Sequence, residues 1–157
     1  MPGIELLNAL RQKRLTIAVA ESCTGGRICD KLTNVPGSSD VFLGGVVAYS
    51  NDSKVKLLYV SLEVLGTYGA VSSVCAAAMA AGVRKAFNSD MGISVTGIAG
   101  PGGATKEKPV GLVFIGVSYQ KKGEVFEIII EGDREGVKEK ASNEAIGKAL
   151  RSIPQLG

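Results

Sequence analysis

Histidine is absent from the 157 residues of this chain. Its absence excludes catalytic triads built on histidine, histidine metal sites and a histidine pH switch. Tryptophan is also absent and aromatic residues make up 5% of the chain, so a core has to be built from valine, isoleucine, leucine and alanine. Any serine nucleophile in this protein therefore needs a general base other than histidine.

Cysteine is scarce as well: the chain has three, Cys23, Cys29 and Cys75, and none forms a CxxC pair. An odd number without such a pair argues against a disulfide framework and favours a reducing compartment. The sequence shows neither a charged and then apolar leader nor a run of about 18 apolar residues. We therefore expect a soluble, cytoplasmic protein that has no membrane partner.

Charge of either sign is moderate, with a net charge of +3 and with lysine and arginine spread along the chain. Nucleic-acid binders usually carry a denser basic stripe, so we expect no nucleic-acid partner. The length fits one domain, and residues 1–157 are predicted to form it. A domain of this size can share apolar surface with a second copy, so a homo-oligomer stays open.

Apolar strands alternate with amphipathic helices along the chain. This order predicts an α/β protein in which helices cover both faces of a mixed sheet. Buried strands are predicted at Leu15–Ala20, Val41–Tyr49 and Met91–Thr96. Two further strands, Val110–Tyr119 and Glu124–Glu131, are predicted to form a hairpin that adds an antiparallel edge.

The first segment that can carry chemistry is Glu21-Ser-Cys-Thr-Gly-Gly26, between a predicted strand and a predicted helix. Backbone N–H groups at such a junction favour anions or a developing oxyanion, and Ser22 is well placed to be a nucleophile. Alternatively, Ser22 and Thr24 only cap the helix and the glycines only turn the chain. Cys23 is either a rival nucleophile with a lowered pKa or a small buried hydrophobe.

The second segment, Tyr49–Lys54, follows the next predicted strand and brings together hydroxyls, an amide and a lysine. Lys54 can act as the base for a serine if burial disfavours its charged form, because the usual lysine pKa of about 10.4 is too high. The alternative for Lys54 is a lysine on the surface of a helix. Tyr49 can relay a proton or orient a substrate, or it can simply pack with its hydroxyl in water.

The third segment, Thr96–Gly103 with Lys106–Pro109, is a glycine-rich loop after another predicted strand. Successive backbone N–H groups in such a loop can form an anion-binding nest, and the alternative is a flexible surface loop. Because the carboxyl ends of parallel strands meet at one edge of a sheet, the three segments are expected to converge there. Such convergence is what an active site requires.

These segments occur in an order and at a spacing that resemble the CinA C-terminal domain family. The resemblance is carried by Ala20–Gly26, Tyr49–Asn51 with Lys54, Gly69–Ser72, Thr96–Pro101, Lys108–Gly111 and Gly132–Arg134. It covers nearly the whole chain, and six motifs in register are highly specific. It implies a three-layer α/β/α sandwich around a mixed, mostly parallel sheet of about five strands.

The resemblance also implies nicotinamide-nucleotide amidase activity in pyridine-nucleotide salvage. Such an enzyme converts nicotinamide mononucleotide (NMN) and water to nicotinic acid mononucleotide and ammonia, with a small nucleotide as its substrate and with no metal or other cofactor. The family's nucleophile falls on Ser22 and its catalytic lysine on Lys54, and we expect Tyr49 beside them. The expected substrate and oxyanion contacts are Glu21, Cys23, Thr24, Gly25, Gly26, Asn51, Thr96, Gly97, Ala99, Gly100 and Lys108.

Two other functions stay open from the sequence. One is a nucleotide-binding or partner-binding module of the same family that keeps the pocket without catalysis, since glycines and capping serines explain much of the same sequence. The other is an amidase that acts on a different small amide. A panel of amide substrates separates the second from the nucleotide amidase.

Overall fold

In the computed structural model, a five-stranded sheet lies between two layers of helices. The structure describes residues 1–156, with side chains through residue 154. The strands are β1 Ile17–Glu21, β2 Phe42–Val47, β3 Met91–Gly97, β4 Leu112–Tyr119 and β5 Lys122–Ile129. The helices are α1 Pro2–Lys13, α2 Arg27–Thr33, α3 Asn51–Leu58, α4 Leu62–Tyr68, α5 Ser73–Phe87 and α6 Arg134–Ser152, with short 3-10 turns at Ser38–Asp40 and Ile153–Leu156. Within the described part, no helix has the length and apolar character to cross a bilayer.

The strand order is β2-β1-β3-β4-β5. Strand β1 runs parallel to both β2 and β3, whereas β4 runs antiparallel to β3 and to β5. The predicted α/β/α sandwich with a mixed sheet is therefore confirmed, and the predicted hairpin forms its antiparallel edge. The carboxyl ends of β1, β2 and β3 consequently lie at the same edge of the sheet.

The first helical layer consists of α1, α2 and α6 and packs through large apolar side chains. Leu6, Leu7 and Leu10 of α1 are fully buried, as their helical spacing predicts. Helix α6 faces the same core with a stripe of small residues, Val137, Ala141, Ala145 and Ala149, all of which are buried. This layer forms the larger of the apolar clusters.

The second helical layer consists of α3, α4 and α5, and α5 lies very close to the sheet. A Cβ atom on Gly92 would lie 2.3 Å from the carbonyl oxygen of Ala80, and one on Gly116 would lie 2.5 Å from that of Ala76. The hydroxyl of Ser94 donates to the Ala76 carbonyl at 2.6 Å. Small residues on the strands thus allow helix and sheet backbones to approach closely, which fixes the start of α5 relative to the strand ends.

Strand β1 sends alternate side chains into the two layers. Ile17 and Val19 belong to the core of the first layer, and Ala18 and Ala20 belong to that of the second. The alternation continues at the end of the strand. The Glu21 side chain reaches the start of α2 in the first layer, and the next side chain, Ser22, contacts α3 in the second layer.

Candidate active site

A cavity of about 300 Å³ opens at the carboxyl ends of the three parallel strands. All three segments singled out from the sequence contribute to it, because β1, β2 and β3 end side by side. Of the predicted site residues, the cavity is lined by Ser22, Cys23, Tyr49, Asn51, Lys54, Thr96, Gly97, Ala99 and Gly100. Glu21, Thr24, Gly25, Gly26 and Lys108 are not among its lining residues.

Lys54 and Ser22 form a buried pair at the base of this cavity. The Nζ atom of Lys54 lies 3.0 Å from the Oγ atom of Ser22, and the two side chains are only 1% and 8% exposed. Ser50 caps α3 by accepting a hydrogen bond from the amide of Ser53, so the helix begins at Asn51 and places Lys54 in its first turn. Lys54 therefore points inward and is not a surface lysine.

The surroundings of Lys54 favour its neutral form. Burial lowers the pKa of this lysine below its usual value of 10.5, and the nearby thiols of Cys75 and Cys23 oppose that shift only in part. Besides Ser22, the amine contacts the carbonyl oxygens of Ala48 at 2.9 Å and Tyr49 at 3.2 Å. A neutral amine can donate to both carbonyls and still offer its lone pair to the serine hydroxyl, as a general base requires.

Cys23 lines the same cavity but is a poor thiolate. Its side chain is 7% exposed, and burial raises the pKa of its thiol to about 11. Burial also raises the thiol pKa values of Cys29 and Cys75. These environments favour the interpretation of Cys23 as a small buried hydrophobe over that of a rival nucleophile.

Glu21 lies beneath the nucleophile segment and is completely buried. Its Oε1 atom accepts hydrogen bonds from the Thr24 hydroxyl at 2.6 Å and from the amides of Gly26 and Ile28, both at 3.1 Å. Its Oε2 atom accepts one from the amide of Cys29 at 3.0 Å. The carboxylate thus holds the start of α2 and the preceding turn, on the side of the sheet away from Lys54.

The turn after Ser22 depends on its two glycines. Gly25 and Gly26 have φ values of +62° and +109°, a region that side-chain-bearing residues rarely adopt. The Gly25 amide donates to the Ser22 carbonyl at 3.1 Å, and that of Gly26 is bound to Glu21. Among the hydrogen bonds of the described residues, none uses the amides of Cys23 and Thr24. Thr24 is fully buried and Cys23 lines the cavity, so the Cys23 amide is the one placed for a ligand.

The glycine-rich loop after β3 forms the opposite wall. Thr96 lines the cavity and is 1% exposed. Its hydroxyl donates to the Ala70 carbonyl at 2.8 Å, which leaves the lone pairs of its oxygen free to accept. Gly100 has a φ value of +83°, and a Cβ atom there would lie 2.5 Å from a methyl group of Val110. In the described part of the chain, the amides of Ala99 and Gly100 also donate to no protein acceptor.

Lys108 links the glycine-rich loop to the end of α4 from outside the cavity. Its ammonium group donates to the carbonyl of Tyr68, the last residue of α4, at 2.8 Å. A cation at a helix C-terminus is favourable because unpaired carbonyls carry partial negative charge there. Lys108 thereby joins the glycine-rich loop to the segment that precedes α5.

Arg134, the first residue of α6, lines the cavity although we did not select it from the sequence. Its guanidinium donates to the Gly100 carbonyl at 2.7 Å and to the Tyr49 hydroxyl at 3.0 Å. Tyr49 is 60% exposed, so its ring lies at the rim, and its contact with Lys54 is made by its carbonyl. The available signal was the position of Arg134 directly after Asp133, which caps α6.

Five further residues line the cavity without having been predicted, namely Ala70, Val71, Ile98, Gly102 and Gly103. They lie within the predicted Thr96–Gly103 segment and the Gly69–Ser72 motif, but their small or apolar side chains did not mark them out individually. Within residues 1–156, no three Cys, Asp or Glu side chains lie close enough together to hold a metal ion. The charged side chains that line the cavity are Lys54 and Arg134.

The fold and cavity define an α/β/α protein with a serine–lysine pair where its parallel strands end. The chain belongs to the CinA C-terminal domain family, whose model matches residues 4–153. A relative from Moorella thermoacetica, named after competence-damage induction, is 53% identical over 144 residues, which are 92% of this chain and 35% of that protein. The chain thus spans about a third of the length of that curated relative.

Solved structures of competence-damage proteins superpose on this chain over almost the whole length of both chains. A competence damage-inducible protein A from Klebsiella pneumoniae has a TM-score of 0.96 and 29% identity, with 99% of this chain and 97% of that chain covered. A competence/damage inducible protein from Agrobacterium tumefaciens has a TM-score of 0.93 and 35% identity, with 98% and 94% covered. These similarities establish the fold and the family.

Proposed function

We propose that this protein is a nicotinamide-nucleotide amidase, which hydrolyses NMN to nicotinic acid mononucleotide and ammonia. The observation that carries the proposal is the buried contact of 3.0 Å between the Lys54 amine and the Ser22 hydroxyl. A desolvated lysine beside a serine at a strand end is an arrangement that activates a nucleophile without histidine. Membership of the CinA family agrees with this proposal.

In the first half of the reaction, the Oγ atom of Ser22 attacks the carboxamide carbon while the amine of Lys54 takes the hydroxyl proton. The resulting oxyanion is held by backbone amides, for which that of Cys23, on the cavity wall beside the nucleophile, is the candidate. Collapse of this intermediate breaks the C–N bond. Lys54 gives its proton to the departing nitrogen, so ammonia leaves and an ester on Ser22 remains.

In the second half, water attacks the ester carbonyl and Lys54 takes a proton from it. The bond to Ser22 then breaks, and Lys54 returns the proton to the Oγ atom of the serine. The products are nicotinic acid mononucleotide and the original enzyme. Each proton that Lys54 accepts is released in the following step, so the cycle balances with water as the only co-substrate.

The walls of the cavity suggest how the nucleotide is held. The acceptor oxygen of Thr96 suits the N–H groups of the carboxamide, and the amides of Ala99 and Gly100 suit an anionic group. Arg134 is the cation at the rim and fits a phosphate better than a point charge does, because a guanidinium can offer two parallel donors. We therefore assign the phosphate to the Arg134 side of the cavity.

The test is ammonia release from NMN in the presence of a chelator, with nicotinamide and nicotinamide riboside as comparison substrates. We expect turnover of the mononucleotide by the parent, loss of turnover in Ser22→Ala, and parental turnover in the control Ser152→Ala, whose hydroxyl bonds to Lys148 in α6. A parent that releases no ammonia from NMN would contradict the proposal, and one that releases none from any of the three amides would not be an amidase of this kind. In that case a binding module would be the better interpretation.

A further inference from the structure

We propose that Glu21 is a positioning residue whose carboxylate shapes the oxyanion site of the reaction without touching the substrate. This inference rests on the proposed function, because it assigns the amides that stabilise the negative charge in that reaction. It differs from the expectation drawn from the sequence, which grouped Glu21 with the substrate contacts. The reasons are the hydrogen bonds of the carboxylate, the chemistry of its partners and the amides that remain unused.

The carboxylate of Glu21 is enclosed by donors. Hydrogen bonds reach it from the Thr24 hydroxyl and from the amides of Gly26, Ile28 and Cys29, at distances from 2.6 to 3.1 Å, and the Cys29 thiol also contacts it. With no exposed surface, the side chain has no contact with solvent and none with the cavity. Its influence on the reaction must therefore pass through the turn that it holds.

All four partners of Glu21 donate, which suits a group that only accepts. A glutamine of nearly the same shape would carry an NH2 group in place of one oxygen, and that group would face a donor wherever it pointed. The least damaging orientation places it against the single amide of Cys29 and keeps Oε1 for the other three donors. Even then one hydrogen bond is lost and two donors oppose each other in a buried site.

Glu21 decides which amides of the turn are left for a ligand. It takes the amide of Gly26, while the Ser22 amide donates to Val95 and that of Gly25 donates to the Ser22 carbonyl. The amides of Cys23 and Thr24 are the two in this turn without an acceptor among the described residues. Oxyanion sites commonly use the amide of the residue after the nucleophile, which is Cys23 here.

Because Glu21 acts through the turn, its removal should affect the transition state more than the ground state. The tetrahedral oxyanion exists only during the reaction, whereas the nucleotide also contacts the glycine-rich loop and Arg134 before it. A purely structural carboxylate would lower stability and binding together. A positioning carboxylate lowers kcat while the dissociation constant for the substrate stays nearly constant.

The experiment compares Glu21→Gln with Glu124→Gln, a control in which the carboxylate that accepts from the Tyr119 hydroxyl is changed at the other end of the sheet. We measure kcat for NMN, and in a Ser22→Ala background we measure the dissociation constant of NMN. We expect Glu21→Gln to lower kcat by about 10²-fold, as for the loss of an oxyanion donor, with binding changed less than about threefold. The control should keep both parental values.

Parental kcat in Glu21→Gln overturns the inference, and so does a fall in kcat that is matched by an equal loss of binding. If Glu21→Gln does not fold, Thr24→Val decides, because it removes the hydroxyl that donates to Glu21 and keeps the carboxylate. We expect Thr24→Val to lower kcat about tenfold at constant binding. An unchanged kcat in that variant also overturns the inference.

A second readout separates this inference from the proposed function. If the parent releases no ammonia from NMN, the proposed function fails, and Glu21 is then tested by the rate at which a fluorophosphonate modifies Ser22, followed by intact mass. We expect modification in the parent and at least a tenfold slower rate in Glu21→Gln, since the phosphonyl oxygen uses the same amides. Equal rates, or a parent whose Ser22 stays unmodified, would overturn the inference.

Discussion

The two helical layers bury different kinds of side chain against the same sheet. The first layer packs large apolar residues such as Leu6, Leu7 and Leu10 of α1, all fully buried. The second layer buries hydroxyls and an amine, among them Ser94, Thr96 and Lys54. Glu21 is the buried charged residue on the first-layer side, and it lies at the strand end, directly beneath the candidate active site.

This difference teaches that one sheet can divide stability and chemistry between its faces. Burying a polar group costs free energy unless hydrogen bonds compensate, whereas burying apolar surface contributes about 25 cal/mol per Å². A layer that carries a desolvated lysine is therefore stabilised less by its own contacts. The apolar layer on the other side of the strands supplies the burial that offsets this cost.

The largest expected effect is the loss of catalytic activity when the buried amine of the second layer is removed. Replacing Lys54 by methionine removes the general base, and we expect ammonia release from NMN to fall by about 10²–10⁴-fold. Stability should change by no more than about 1 kcal/mol, because the lost hydrogen bonds and the relieved burial of an amine oppose each other. The control Lys56→Met, on the exposed side of the same helix, should keep parental activity. Retention of more than a tenth of the activity in Lys54→Met would contradict this assignment.

The next largest effect is a loss of stability in the first layer, which should leave the catalytic activity unchanged. Leu7 of α1 is fully buried in the core of the first layer, so Leu7→Ala should lower the free energy of unfolding by about 2–5 kcal/mol through the cavity it leaves. Activity per folded molecule should stay at the parental level. Urea denaturation together with kcat measured under folding conditions checks both parts, and the exposed Ile4→Ala serves as the control. A large loss of kcat at full folding would show that the layers do not divide their roles.

The pH dependence of the parent sharpens the comparison. The lysine must be neutral to accept a proton, so kcat should rise about tenfold per pH unit until it levels off below 10.5, the usual value from which burial lowers the Lys54 pKa. Between that lowered pKa and 10.5 the unfolded chain binds more protons than the folded chain, so the contribution of Lys54 to the free energy of unfolding rises with pH. Lys54→Met should lack this rise. A flat kcat profile in the parent would contradict the role of Lys54 as base.

A smaller effect is expected at the rim of the cavity. Arg134→Gln removes the guanidinium assigned to the phosphate, and the loss of a charge-assisted hydrogen bond of about 1.5–3 kcal/mol should raise KM for NMN about 10- to 100-fold. The value of kcat should change less, since Arg134 lies away from the Ser22–Lys54 pair. Steady-state kinetics on the mononucleotide and on nicotinamide riboside separate the two contributions. An unchanged KM for the mononucleotide would place the phosphate elsewhere.

The smallest effect concerns ion pairs on the outside of the first layer. Arg27 of α2 pairs with Glu135 and Glu139 of α6 at 3.2 and 3.3 Å. Since exposed ion pairs contribute little, Arg27→Gln should change the free energy of unfolding by less than about 1 kcal/mol and leave kcat unchanged. Thermal unfolding at low and at high salt checks the size. A loss comparable with that of Leu7→Ala would mean that these pairs, and not apolar burial, stabilise the layer.

Much of the architecture follows from local sequence signals. Helix α3 begins at Asn51 because Ser50 caps it, and Leu6 and Leu10 face the core at helical spacing. Strand β5 was predicted at Glu124–Glu131 and lies at Lys122–Ile129. The reason is a tight turn in which Gln120 adopts a φ of +51°, and the sequence there lacks the Asn-Gly or Asp-Gly pair that usually marks such a turn.

Only part of the site could be predicted, namely the polar side chains that follow the predicted strands. Three polar segments after parallel strands were enough to bring Ser22, Lys54 and Thr96 to one cavity. The burial of Lys54 could not be predicted, because it depends on how α3 packs against α5. The contacts of Arg134 with the cavity wall and the enclosure of Glu21 could not be predicted for the same reason, since they depend on tertiary contacts.

The most direct test of the central claim asks whether Ser22 and Lys54 act as one unit. Ammonia release from NMN is measured for the parent, Ser22→Ala, Lys54→Met and the double variant. Residues of one catalytic unit are strongly non-additive, so we predict that the double variant has the same residual rate as the slower single variant. A double variant whose loss equals the product of the two single losses, or a single variant that keeps the parental rate, would contradict the account.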